Sequence, residues 1–151
     1  MLVNGSRVVG PGTVRPGGAL TVTNSKISDG ITADNPSFFD LCGSDVTGSP
    51  SGSQALTLTN ATVPVRIGDA AAGCAGNRFA GGVTVTGNLA VTFADNTTSG
   101  QVQIDTNGPG AVVVKSNTLY GTLTCTVNNP PPTNAGSPNT AATKLGQCAA
   151  L

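Results

Sequence analysis

Along this chain apolar and polar residues alternate in short runs, and the runs recur. GGVTVTGN (81–88), GQVQIDTN (100–107) and GTLTCTVN (121–128) each open on Gly, place apolar residues at alternate positions and close on Asn. SQALTLTN (53–60) and DGITADN (29–35) fit the same frame. A period of two marks a strand with one buried face. The inward pairs are then Ile31/Ala33, Leu56/Leu58, Val83/Val85, Val102/Ile104 and Leu123/Cys125. A second set of strands follows in GALTVTN (18–24), TVPVRIG (62–68), LAVTFADN (89–96) and GAVVVKSN (110–117). Between this set and the next member of the first lies a corner of the form polar-x-x-x-Gly. It is seen as Asn77 to Gly81, Asn96 to Gly100 and Asn117 to Gly121, with relatives at 44–48 and 25–30, and it points Phe79, Leu119, Val46 and Ile27 inward.

Strand, strand and corner recur in one order, and Gly81, Gly100 and Gly121 stand at intervals of 19 and 21 residues. That spacing suits a coil of three short faces, each about 4.8 Å above the last. An antiparallel sandwich has similar strands and turns but does not predict the fixed order. Left-handed hexapeptide helices keep a stricter period than this one. The chain is therefore expected to be all-β, a right-handed parallel β-helix (β-solenoid) of about five to six coils. Asn at successive strand ends is expected where the backbone turns through φ > 0, and stacked amides can bond one another up the helix.

Departures from the repeat locate the ends. After Asn129 the pattern stops at Pro130, Pro131 and Pro132, which cannot donate to a strand ladder. Residues 1–129 are expected to form the coils and 130–151 a capping tail of the same domain, folded over the last coil with Cys148 bonded to Cys125. Cys42 and Cys74 sit with the two segments that spoil the period, SPSGSQA (49–55) and DAAAGCAG (69–76), where a bridge would pin two irregular loops across neighbouring coils. At the other end NGSRVVGPG (4–12) offers only Val8 and Val9 as a degenerate first strand.

Composition supports this picture. Gly 21, Pro 10, charged residues at 9% and aromatics at 3% disfavour helices and favour many short strands joined by tight turns. Disordered chains have the opposite bias, towards charge and away from β-branched residues. The net charge is +0, and the seven basic residues (Arg7, Arg15, Lys26, Arg66, Arg78, Lys115, Lys144) are scattered singly, without the electrostatic footprint of a nucleic-acid or anionic-membrane binder. No apolar run approaches the roughly 20 residues that span a bilayer, so no membrane insertion is expected. The start MLVNGS has no signal-peptide pattern, so a secreted protein would be present here in mature form, with Met1 added. The cysteines Cys42, Cys74, Cys125 and Cys148 are even in number, form no CxxC pair and have no histidine in the chain, which argues for disulfides in an oxidising compartment and against zinc.

The repeat GGVTVTGN, the run TLYGTLTCTVNNPPPTNAGSPNT and the ending KLGQC together resemble secreted bacterial β-helix proteins, common in actinobacteria, that end in a cysteine-containing strand, a Pro-Thr-Asn segment and a Gly-Gln-Cys terminus. The likeness covers most of the chain and is most specific from Gly81 onward. It implies export and a right-handed β-helix, and it carries over no active-site residue.

Enzymatic, metal and cofactor chemistry find little footing. The chain has seven Asp, no Glu and no His. Asp34 and Asp105 would occupy equivalent outward positions three coils apart, roughly 14 Å at strand spacing, whereas cooperating glycosidase carboxylates stand about 5 to 9.5 Å apart. Asp40 and Asp45 fall on a strand and a corner. No calcium-binding D-x-D-x-D run or GGxGxD nonapeptide is present. Thr57/Thr59, Thr84/Thr86 and Thr124/Thr126 make a Thr-x-Thr ladder suited to ice, broken at Gln103/Asp105 and Thr32/Asp34. The expectation is a secreted, non-enzymatic structural protein without cofactor or metal, a building block of an extracellular filament or surface layer that partners itself head to tail. A carbohydrate-binding adhesin contacting surface glycans is the alternative, and an ice-binding protein a weaker one.

Overall fold

A computed structural model describes residues 1–49 and 54–151. The chain winds as a parallel β-solenoid of about seven turns. The first coil holds β1 (Leu2–Asn4), β2 (Arg7–Val8) and β3 (Gly12–Val14), and the second β4 (Ala19–Thr23), β5 (Lys26–Ile27) and β6 (Ile31–Asp34). Then come β7 (Phe38–Cys42), β8 (Asp45–Thr47) and β9 (Gln54–Thr59), followed by β10 (Pro64–Ile67), a 3-10 turn (Ala70–Ala72), β11 (Arg78–Ala80) and β12 (Gly82–Thr86). The fifth coil is β13 (Ala90–Ala94), β14 (Thr97–Thr98) and β15 (Val102–Asp105); the sixth is β16 (Val112–Lys115) and the long β17 (Thr118–Thr126); β18 (Thr140–Gly146) lies in the seventh.

These strands stack into three faces. Face A runs β1-β4-β7-β10-β13-β16. The short corner strands β2-β5-β8-β11-β14 and the start of β17 make face B, and β3-β6-β9-β12-β15 and the end of β17 make face C. Every inward pair expected on face C is in register: Ile31 on Leu56, Leu56 on Val83, Val83 on Val102, Val102 on Leu123, with the second row matching. On face B, Ile27, Val46, Phe79 and Leu119 point inward as expected, joined by Thr98. Phe79 and Phe93 stack across the narrow core at 6.3 Å.

The polar corners explain why coils so thin hold together. Between faces A and B a ladder climbs from the Ser6 backbone amide through the side chains of Ser25, Ser44, Asn77, Asn96, Asn117 and Asn139. Each amide from Asn77 to Asn117 accepts from the backbone N–H one coil below and donates to the amide one coil above. A second ladder, between faces C and A, runs Asn88, Asn107, Asn128, Gln147. Stacking and left-handed turning are divided between neighbours rather than combined in one Asn. Asp95, Thr106, Ser116 and Val127 take φ of 55 to 60°, each one residue before a ladder amide, while Asn24, Asn35 and Asn60 are themselves turned. The corner glycines answer to crowding: a Cβ on Gly100 would sit 2.6 Å from the carbonyl carbon of Gly81.

Three expectations need correction. The turns number about seven, not five to six, because both terminal segments wind into paired coils. The N-terminal segment supplies a full first coil of three strands, in which Val8 is half-buried and Val9 is exposed. The segment 130–151 is also more than a lid. Prolines prevent a regular face A strand, yet Thr133 bridges Val113, Asn139 joins the amide ladder and β18 pairs in parallel with β17. Finally, β7 is a regular member of face A; the sequence places Asp40 on a strand, but Phe38, Phe39, Leu41 and Cys42 blur the alternation that would assign it to the second set. Of the irregular run at 49–55, residues 50–53 lie outside the described residues.

Candidate functional site

Each Asp has a structural use or stands alone. Asp40 takes a two-pronged ion pair from Arg66 (Nε to Oδ1 2.7 Å, Nη2 to Oδ2 2.6 Å), which raises the Arg66 pKa through the hydrogen bond to Asp40. Asp69 lies 3.0 Å from Lys115, and Asp95 accepts from the Ala70 amide. Asp34 is held below its ordinary carboxylate value by hydrogen bonds from Asn60 and Thr59. Asp105 accepts from the Thr126 amide and hydroxyl and from Gln103. Asp34 and Asp105 share one outward row with Thr59 and Thr86 between them, three coils apart, too far to cooperate on one bond.

The four cysteines pair as Cys42–Cys74 and Cys125–Cys148, with Cα separations of 4.9 and 5.2 Å. Asp40, Cys42 and Cys74 converge within 4.8 Å, the spacing of a metal site, but disulfide sulfurs carry no thiolate to donate. The cluster instead fastens the 68–76 loop, whose Ala72 carbonyl accepts from Arg66.

Face C carries the threonine rows. Thr13, Thr32, Thr57 and Thr84 follow in unbroken register, then Gln103 and Thr124, so this row is more regular than the paired Thr-x-Thr pattern suggested. In the second row, Thr59 and Thr126 turn their hydroxyls onto Asp34 and Asp105. Asn60-Ala61-Thr62 and Asn96-Thr97-Thr98 match the Asn-x-Thr glycosylation pattern, but Asn96 is buried in the ladder, and Asn60 is exposed but donates to Asp34.

Face B holds what the linear sequence concealed. The residue after each ladder position faces outward, and strand register places Arg7 on Lys26, Lys26 on Asp45, Asp45 on Arg78 and Arg78 on Thr97. A groove of about 480 Å³ runs beside Arg7, Lys26, Asp45 and Arg78. It continues past Arg78 into a hollow of about 450 Å³ bordered by Thr97, Ser99 and Tyr120. Lys26 reaches Asp45 at 3.8 Å, both exposed, while Arg7 and Arg78 have no side-chain partner among the described residues. Basic residues that the sequence scatters are therefore collected into one row. The signal was present in the corner motif, since each of these residues follows Ser6, Ser25, Ser44 or Asn77, but it needed the first coil to be aligned.

The two ends of the described solenoid differ. At the last coil Leu151 is buried, its amide donates to the Cys148 carbonyl, and its carbonyl accepts from the Asn139 amide and Lys144 Nζ. At the first coil a hollow of about 280 Å³ opens between Met1, Val14, Gly18 and Leu20. Among the described residues no helix is long and apolar enough to cross a membrane. Compared with family models, curated proteins and solved structures, the chain matches none.

Proposed function

We propose that the chain is a non-enzymatic structural rod of an extracellular assembly, a building block of a filament or surface layer that associates end to end. The observation that carries this reading is the pair of free sheet edges. Among the described residues, β1, β2 and β3 pair on one side only, with the second coil, and β18 pairs only with β17. In a parallel solenoid these edges run in the same direction, so the first coil of one copy can continue the sheet of the next at the ordinary strand spacing. Such a contact is heterologous and does not close on itself, so repetition gives a filament. The asymmetric ends agree with this polarity, the apolar first-coil hollow meeting the end that Leu151 fills. Two disulfides and the likeness to exported β-helix proteins support the extracellular setting.

The test is sizing at rising protein concentration together with negative-stain microscopy. The expected outcome is growing species and thin filaments, abolished by a variant lacking residues 1–10 whose remaining coils stay folded. A parent chain that stays monomeric throughout overturns the reading.

A further inference from the structure

We infer that the groove on face B binds an acidic polysaccharide, a uronate-bearing glycan chain lying along the solenoid axis. The inference is independent of end-to-end assembly.

The first support is charge. Three of the seven basic residues, Arg7, Lys26 and Arg78, stand in one row on consecutive or next-but-one coils, with Asp45 alone against them. Of the remaining four, Arg66 and Lys115 are tied to Asp40 and Asp69, Lys144 donates to the Leu151 carbonyl, and Arg15 lies away from the groove. Arg7 and Arg78, neither with an ion-pair partner among the described residues, thus flank the exposed Lys26–Asp45 pair in one row, while Arg15 stands apart. Guanidinium groups pair with planar carboxylates through two parallel hydrogen bonds, which makes Arg7 and Arg78 suited to uronate groups presented at intervals along a polymer.

The second support is the rest of the lining, which offers sugar both hydrogen-bonding groups and an aromatic ring. Outward beside the charged row stand Ser28, Thr47, Ala80, Ser99 and Tyr120. Hydroxyls and the Asp45 carboxylate can exchange hydrogen bonds with sugar hydroxyls. Tyr120 is 71% exposed at the far end of the groove, an amphipathic ring free to cover the apolar face of a sugar. Ala80, the shortest side chain of that row, keeps the path from Arg78 to Tyr120 open. A straight groove along a solenoid suits a polymer, because strand register presents one outward side chain per coil along its length.

The experiment is affinity electrophoresis and titration of the full chain with polygalacturonate, beside dextran as a neutral glycan and oligothymidylate as a nucleic acid. Polygalacturonate is expected to bind at low salt and to be released as ionic strength rises. The Arg7→Gln/Arg78→Gln double variant is expected to bind at least about tenfold more weakly. Tyr120→Ala is expected to weaken binding without altering its salt dependence, and Arg15→Gln to leave it unchanged. Circular dichroism melting establishes that each variant is folded; all these positions face solvent. No binding of polygalacturonate by the parent, equal binding of dextran, tighter binding of oligothymidylate, or equal weakening by Arg15→Gln would each overturn the proposal.

Discussion

Thr98 carries a fully buried hydroxyl in the inward row of face B, and its Oγ1 has no hydrogen-bond partner among the described residues. Its neighbours up and down that row, Phe79 and Leu119, are apolar. An unpaired buried hydroxyl loses its hydration without return, so Thr98→Val, which keeps the shape and the β-branch, is expected to raise unfolding free energy by about 1 kcal/mol in urea titration. A loss of stability would mean that the hydroxyl has a partner. Val127 poses the complementary problem in the backbone. It is a β-branched residue at φ 55°, with 73% of its surface exposed and so little packing to hold it there. Val127→Asn, which tolerates the left-handed region, is expected to add about 1 kcal/mol. An unchanged melting temperature would count against strain at this position.

At the scale of the element, the corner ladders distinguish two kinds of asparagine that look alike in sequence. Asn96 accepts at Oδ1 from both the amide and the side chain of Asn77, and donates to the Ile67 carbonyl and to Asn117. Asn96→Ala leaves buried groups on adjoining coils without partners, and each orphan costs about 1 to 3 kcal/mol. The expected loss is roughly 3 kcal/mol or more. Asn35, at φ 42°, serves the turn, and among the described residues no hydrogen bond involves its side chain. Asn35→Gly is therefore expected to shift stability by less than about 0.5 kcal/mol. Equal losses in chemical denaturation would mean that the two positions share one role. The motif of alternating apolar residues closed by Asn reveals that a corner exists. It does not reveal which Asn turns the chain and which stacks, because that depends on the one-residue offset between the φ > 0 position and the ladder.

For the whole molecule, stability is distributed along one dimension, since each coil touches only its neighbours. The Cys125–Cys148 bridge ties the seventh coil, whose β18 side chains are largely exposed, to the buried face C row beneath it. Replacing both cysteines by Ala is expected to cost about 3 kcal/mol. The loss should be local: backbone amides of Thr140–Gly146 are expected to exchange rapidly while those of β9 and β12 stay protected. Uniform loss of protection would show that the rod unfolds as a single unit instead.

Sequence alone was sufficient for the period, the inward pairs of face C, the corner residues and both disulfide pairings. Each rests on a local alternation or on a departure from it, and a strand's two faces are fixed by the next residue along the chain. It was insufficient wherever the repeat degenerates. The coil at Leu2–Val14 has few apolar residues to announce it, Phe38–Cys42 masks its alternation with excess hydrophobicity, and the prolines at 130–132 hide a further turn. The groove on face B lay beyond sequence reading for a related reason. Arg7, Lys26 and Arg78 are distant along the chain and look like isolated surface charges. Only the register of parallel strands, set by core packing on the opposite side of each strand, brings them into one row.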